Sequence, residues 1–180
     1  MSNASARPRL LRLLSRYFGE GVYSRVGRRR GFDRHLRRTL ARFGHDGPGA
    51  AANPNVLALL AVESFFRPRS ARLVEYATWM LASLPPRRWL GRLTVGIAQA
   101  RLEHWDDLGL IDGLGFSPGR LARVADPAAN YGVCLRYLEQ RGAVDTLDVV
   151  ALTRTYVGAA RPEYTALLER ARAGAMAVAA

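Results

Sequence analysis

Three times in this sequence a residue that caps helices is followed directly by proline: Asn53–Pro54, Ser117–Pro118 and Asp126–Pro127. An Asn, Ser or Asp side chain accepts hydrogen bonds from the free N–H groups of a first helical turn, and proline fits the first helical position. No stretch alternates polar and apolar residues for long enough to indicate a strand. The sequence therefore predicts an all-α fold.

Other helix signals fill most of the remaining chain. Phe32, Leu36, Leu40 and Phe43 fall on one helical face, with arginines between them on other faces. Two consecutive prolines end a helix, because proline cannot continue it. The predicted helices are residues 10–18, a helix carrying the 32–43 face, 54 to about 66, about 70–84 ended by Pro85 and Pro86, a segment over 94–105 that begins as a loop and becomes helical, one from Pro118, one from Pro127 closed by Gly142, one from Asp145 and one from Pro162. We expect them to surround a buried central helix.

Length and charge limit the organisation and the partners. The chain has 180 residues, enough for one compact domain, which we divide into a basic helical extension over 1–46 and a main domain over 47–180. The net charge is +12, and arginines concentrate in the Arg25–Arg38 region. This region is expected to be a solvated face that attracts an anionic wall polymer or a membrane surface, whereas nucleic acid is not favoured because charge alone is no recognition motif.

The residue types that bind metals and cofactors occur in unfavourable patterns. His35, His45 and His104 are far apart, and none belongs to a His-x-x-x-His pair, so we expect no metal site. Cys134 has leucine and valine neighbours and is predicted to be a buried apolar residue. The glycines of residues 113–119 lack the Lys-Ser/Thr of a phosphate-binding loop. We therefore predict no cofactor.

One carboxylate stands out because of its neighbours. Glu63 ends the apolar run of "LLAVESFFRPRS", residues 59–70. It could be a helix-edge carboxylate in water, which is the usual state of glutamate. Alternatively, contact with Leu60, Phe65 and Phe66 removes it from water, which raises its pKa and leaves a proton available for general acid catalysis.

Three further segments follow Glu63 in a suggestive order. They are "LTVGIAQ" at 93–99, "DPAANYGVCLRYL" at 126–138 and "ALTRTYVGA" at 151–159. Glu63–Ser64, Gly96 with Gln99, Asn130 with Gly132, and Tyr156 with Gly158 then resemble, in family order, the motifs of the lysozyme-like lytic transglycosylases. The sequence departs from them in a longer interval between Glu63 and Gly96, and in Val157 after Tyr156, where the family typically has Asn.

The resemblance implies a lysozyme-like helical domain that cleaves peptidoglycan between N-acetylmuramic acid and N-acetylglucosamine. It implies that Glu63 is the catalytic general acid and base, and that the muramoyl 6-hydroxyl attacks internally, so that no second carboxylate is required. The substrate-binding residues that it implies are Ser64, Gly96, Gln99, Asn130, Tyr131 and Tyr156. Gln99 and Tyr156 are expected to bind sugar and orient Glu63, and Ser64 is expected to support the acid. Gly96 is expected to let the chain pass close to the saccharide, and the Tyr131 ring could stack on a sugar face.

The sequence leaves several alternatives open. Glu75, Glu103, Asp106 or Asp107 could position a water, which would make the enzyme a lysozyme-type hydrolase. The Glu63–Gln99 interval also resembles that of the peptidoglycan glycosyltransferases, although Ser64 replaces the Asp that follows their glutamate. A non-catalytic lysozyme-like domain could instead bind a glycan, a polyanion or a protein through its basic face. The location is the cell envelope or outside the cell if the native protein has a signal, and the cytoplasm otherwise.

Overall fold

The structure, a computed structural model, describes residues 31–46, 52–67, 69–84, 90–159 and 161–179. The all-α prediction is confirmed, since α-helices make up most of the described chain and the sheet has two strands of two residues each. The α-helices are α1 (Phe32–Asp46), α2 (Pro54–Phe66), α3 (Arg69–Ala82), α4 (Leu102–Asp107), α5 (Pro118–Ala125), α6 (Pro127–Gln140), α7 (Val149–Val157) and α8 (Pro162–Ala179), with β1 (Thr94–Val95), β2 (Ala100–Arg101) and a 3₁₀ turn at Leu90–Arg92.

Helix α2 is the central helix. It is apolar over nearly its whole length, and 11 of its 13 residues are buried. The Asn53 side chain caps it by accepting hydrogen bonds from the N–H groups of Asn55 and Val56, and Pro54 occupies the first turn as predicted. Because α1, α6 and α8 all pack against it, little of its surface reaches solvent.

Helix α1 belongs to the same core as the rest of the described chain. Its predicted apolar face, Phe32, Leu36, Leu40 and Phe43, is buried in that core. Helix α1 thus packs into the main hydrophobic core, and the division of the chain at residue 46 stays a prediction. Side chains Arg34, Arg37 and Arg38 are exposed on its other faces, as expected for a solvated basic face. Residues 25–30 of the basic region, and the predicted helix at 10–18, lie outside the described residues.

Most predicted helix ends agree with the structure. Ser117 and Asp126 cap α5 and α6, and Gly142, with a φ of +61°, follows the end of α6. Helix α3 begins at Arg69 and ends at Ala82, close to the predicted 70–84, while the two prolines after it lie outside the described part. The β1–β2 hairpin was not predicted, because strands of two residues are too short to show an alternating pattern.

The predicted start of α7 at Asp145 is wrong by three residues. Asp148 is the cap, and its carboxylate accepts hydrogen bonds from the N–H groups of Val150 and Ala151. The chain before it is held away from helical geometry because the Asn55 side chain donates to the carbonyls of Val144 and Thr146. An acidic residue therefore does not locate a helix start by itself when a second one, as with Asp145 and Asp148, lies three positions away.

Removing the true cap should cost stability. We expect Asp148→Ala to lower the free energy of unfolding by about 1 kcal/mol, because two N–H groups of the first turn lose their acceptor. Asp145→Ala should cost less, since its carboxylate accepts one long, exposed hydrogen bond from Asn53, at 3.3 Å. Urea unfolding of both variants measures the two losses of stability. An equal loss for both variants would contradict the assignment of Asp148 as the cap.

A membrane-crossing helix must be both long and apolar, and none of the described helices meets both conditions.

Candidate active site

Glu63 lies in the last turn of α2 and is almost completely buried, with 3% of its surface exposed. Its Oε1 accepts a hydrogen bond of 2.8 Å from the hydroxyl of Tyr164 on α8. The Tyr164 ring in turn stacks on Phe66, with ring centroids 5.6 Å apart and planes nearly parallel. The carboxyl is therefore held in one position by an aromatic wall, and it is not a solvated helix-edge group.

Burial gives this carboxyl an unusual affinity for protons. The pKa of Glu63 is raised to about 7, chiefly because removal from water penalises its charged form. The Tyr164 hydrogen bond and the charge of Arg67 lower the pKa, and the carboxylate of Glu75 raises it, but all three effects are smaller than that of burial. Glu63 can therefore both give and accept a proton near neutral pH.

A groove of about 660 Å³ opens beside Glu63. The end of α2, the β1–β2 hairpin, α4, α6 and α7 contribute its walls. Three of the predicted site residues, Glu63, Gln99 and Tyr156, line it together, although 93 positions separate the first from the last along the chain. Of the described residues that line the groove, Glu63 is the one with a carboxyl group.

The turn between the two strands brings Gln99 to the groove. Gln99 adopts a φ of +52°, which is unusual for a residue with a side chain. Its Nε2 donates to the carbonyl of Gly96 at 2.7 Å and to Oε2 of Glu75 at 3.1 Å. Its Oε1 accepts from the Thr94 hydroxyl. This network fixes the Gln99 amide at the groove wall.

Tyr156 on α7 also supports the turn between the two strands. Its hydroxyl donates to the carbonyl of Ala98. Its ring meets Tyr137 edge to face, with centroids 5.7 Å apart. Burial raises the pKa of Tyr156 well above its ordinary value, so the hydroxyl stays protonated and acts as a hydrogen-bond donor.

Asn130 and Gly96 hold the turn from within the protein and do not line the groove. The fully buried Asn130 accepts from the N–H of Ala98 at 2.9 Å, and its Nδ2 donates to the carbonyls of Val124 and Asp126, both at 2.7 Å. A Cβ on Gly96 would lie 2.5 Å from Asn130 Oδ1, and Gly96 has a φ of +78°. The close approach that requires glycine is therefore to Asn130.

Ser64 and Tyr131 make contacts away from the groove. The Ser64 hydroxyl donates to the carbonyl of Ala61 and lies 2.8 Å from Nε2 of His35, which joins α2 to α1. The Tyr131 hydroxyl accepts from the backbone N–H of Asn53 at 2.7 Å, which joins α6 to the start of α2. Their contacts are structural ones, and a role in binding substrate remains a prediction for both.

Glu75 contacts two residues that line the groove. It is buried, its Oε1 pairs with Arg67 at 2.5 Å, and its Oε2 accepts from Gln99. Burial raises the pKa of Glu75, while the Arg67 charge opposes that shift. Both oxygens are thus engaged in positioning groove residues. The other acids considered from the sequence are placed elsewhere: Glu103 pairs with Arg101, Asp106 accepts from the N–H of Gly113, and Asp107 is exposed.

Two residues of the site were missed in the sequence. Tyr164, the hydrogen-bond donor to Glu63, lies 101 positions after it and belongs to no motif. Arg67 lies four residues after Glu63, and its pairing with Glu75 was not foreseen. The sequence offered one sign of this pair: Glu75 lies eight positions after Arg67, in the helix that follows the break after α2. Cys134 is buried, as predicted, and it lies in the groove wall, where burial raises the pKa of its thiol to about 12.

Comparison of the chain with family models, with curated proteins and with solved structures finds no match. Among the described residues, no three His, Cys, Asp or Glu side chains come together in a way that could hold a metal ion.

Proposed function

We propose that the protein cleaves the glycan strands of bacterial peptidoglycan, between N-acetylmuramic acid and N-acetylglucosamine, with Glu63 as general acid and base. The observation that carries this proposal is a buried carboxyl, with a pKa of about 7, in the wall of a groove that Gln99 and Tyr156 also line. These are the three residues to which the resemblance to lytic transglycosylases assigns the acid and its sugar-binding neighbours.

The position of Glu63 suits the first step of glycosidic bond cleavage. The protonated carboxyl gives its proton to the glycosidic oxygen as the bond from that oxygen to the anomeric carbon breaks, and positive charge develops on that carbon. A carboxyl that holds its proton near pH 7 is suited to this step, whereas an ordinary glutamate is ionised there.

The second step is compatible with a single carboxyl at the groove. In the transglycosylase reaction the muramoyl 6-hydroxyl attacks the anomeric carbon and returns a proton to the Glu63 carboxylate, which yields a 1,6-anhydro end. In hydrolysis a water attacks instead and leaves a reducing end. We favour the transglycosylase because Glu75, the carboxylate whose charge acts on Glu63, has both oxygens engaged by Arg67 and Gln99.

Digestion of purified peptidoglycan tests the proposal. Incubation with the protein, followed by mass spectrometry of the soluble fragments, should show 1,6-anhydromuramoyl ends. Reducing ends would instead make the protein a lysozyme-type hydrolase with the same acid. If a protein shown to be folded by circular dichroism releases no fragments, the non-catalytic alternative is favoured.

The hydrogen bond from Tyr164 to Glu63 should affect how the cleavage rate depends on pH. Because that bond lowers the pKa of Glu63, Tyr164→Phe should raise it and move the high-pH decline of the cleavage rate to higher pH. The sign follows from the acid role: activity is present below the pKa and is lost as pH rises through it. Rates of fragment release from pH 5 to 9 measure the shift, and a shift to lower pH would contradict the arrangement.

A further inference from the structure

Basic side chains from several elements surround the groove. Arg67 follows α2, Arg101 lies on β2, Arg141 follows α6 and Arg154 lies on α7, and all four line the same groove as Glu63. Arg67 is paired with Glu75, and Arg101 lies 3.0 Å from Glu103. Because Glu63 itself is largely uncharged below pH 7, the groove carries a net positive charge.

Two of these arginines have no neutralising partner among the described residues. Arg141 and Arg154 are exposed, and neither forms an ion pair with a described carboxylate. The Arg141 guanidinium lies over the Tyr137 ring, 5.2 Å from its centroid, which keeps it against the groove wall. A concave surface with unpaired guanidinium groups concentrates anions and binds carboxylates through charge-assisted hydrogen bonds.

We propose that the groove is selective for acidic glycans, with Arg141 and Arg154 binding carboxylates that the sugar chain carries close to the bond that Glu63 breaks. This inference rests on the proposed function and narrows it. A neutral polysaccharide of the chitin type has no group that these arginines would bind. The carboxylates can belong to the lactyl groups of strands without peptides or to the peptides of substituted strands, and both have the same chemistry.

The groove is a poorer fit for a single-stranded nucleic acid. Bases bind such grooves by stacking on open aromatic faces. Here the Tyr137 ring is covered by Arg141, meets Tyr156 edge to face and lies 5.2 Å from the His104 ring. Thr94, Gln99 and Thr155 line the groove as well and suit the hydroxyl and amide groups of sugars.

Binding measured with Glu63→Gln tests the inference without any cleavage. The probes are fluorescent tetrasaccharides of equal length: a GlcNAc–MurNAc repeat with free lactyl carboxylates, the same repeat bearing peptides, and neutral chitotetraose. A thymidine oligonucleotide of similar charge is the fourth probe. We expect at least one carboxylate-bearing glycan to bind about tenfold more tightly than chitotetraose, and the tighter of the two identifies which carboxylate is bound.

Arginine variants in the same background show whether the groove is responsible. Arg141→Gln and Arg154→Gln should each weaken binding of the acidic glycan about fivefold to tenfold and leave chitotetraose unchanged. Arg123→Gln is the matched control, because Arg123 is exposed on α5 and does not line the groove. Thermal unfolding confirms that each variant is folded.

Three outcomes would overturn the inference. One is equal binding of acidic and neutral glycans, which leaves the proposed cleavage intact if peptidoglycan digestion succeeds. Another is equally tight binding of the oligonucleotide with competition for the same site, which would identify a general polyanion surface. The third is binding of neither glycan. Failure of the proposed function is recognised separately, as the absence of fragments in the digestion.

Discussion

Glu63→Gln should lower the rate of peptidoglycan cleavage by on the order of 10²–10⁴-fold. The amide has nearly the shape of the carboxyl and can still accept the hydrogen bond from Tyr164, so the groove should keep its form. It cannot donate a proton to a leaving oxygen, however, and it cannot take one back. The loss should therefore appear in kcat, with little change in the affinity for glycan.

The matched control for this variant is Glu139→Gln. Glu139 is exposed on α6 and does not line the groove, so the same change of chemistry there should leave the rate unchanged. Release of soluble fragments by the wild type and by both variants, at pH 6 and equal protein concentration, makes the comparison. A Glu63→Gln protein that cleaves at more than about a tenth of the wild-type rate would exclude Glu63 as the general acid.

Asn130→Ala should destabilise the protein by about 3–5 kcal/mol, a large effect for one substitution. The Asn130 amide uses its oxygen and its nitrogen for three hydrogen bonds, and it has no contact with solvent. Without it, the N–H of Ala98 and the carbonyl of Val124 lose their partners inside the core. Because Ala98 lies in the turn between the strands, the positions of Gln99 and Tyr156 should loosen as well.

Asn130→Asp separates this explanation from a simple loss of volume. The aspartate keeps the shape and the acceptor for Ala98, but it places a second oxygen against the carbonyls of Val124 and Asp126. It should therefore be at least as damaging as the alanine at pH 7. Gln140→Ala, at an exposed position of the same helix, is the control. Urea unfolding measures all three, and a loss below about 1 kcal/mol for Asn130→Asp would contradict the proposed network.

The helices were predictable because their signals are local. Caps at Asn53, Ser117 and Asp126 and the periodic face of α1 depend only on neighbouring residues, and the structure agrees with them. The hairpin and the start of α7 depend on distant contacts. In particular, the Asn55 side chain holds the segment before Asp148, about 90 residues further along the chain.

In the site, too, the features set by neighbouring residues could be predicted and those set by distant contacts could not. Glu63 could be selected from its apolar neighbours, and its burial in a groove with Gln99 and Tyr156 is what the structure adds. Asn130, Gly96 and Tyr131 stood in the motifs, yet their contacts hold the scaffold together. Tyr164 could not be found, since a buried tyrosine in a helix gives no local sign that its hydroxyl meets a carboxyl of another helix.

The protonation of Glu63 near neutral pH is the property on which its proposed role most directly depends. Carbon-13 NMR of protein labelled at the glutamate carboxyl carbons, recorded from pH 4 to 9 for the wild type and for Glu63→Gln, identifies the Glu63 signal as the one missing from the variant. We expect this signal to titrate with a midpoint of about pH 7. A midpoint near 4.5, the ordinary value for glutamate, would mean that the carboxyl is ionised at neutral pH and would contradict its assignment as the general acid.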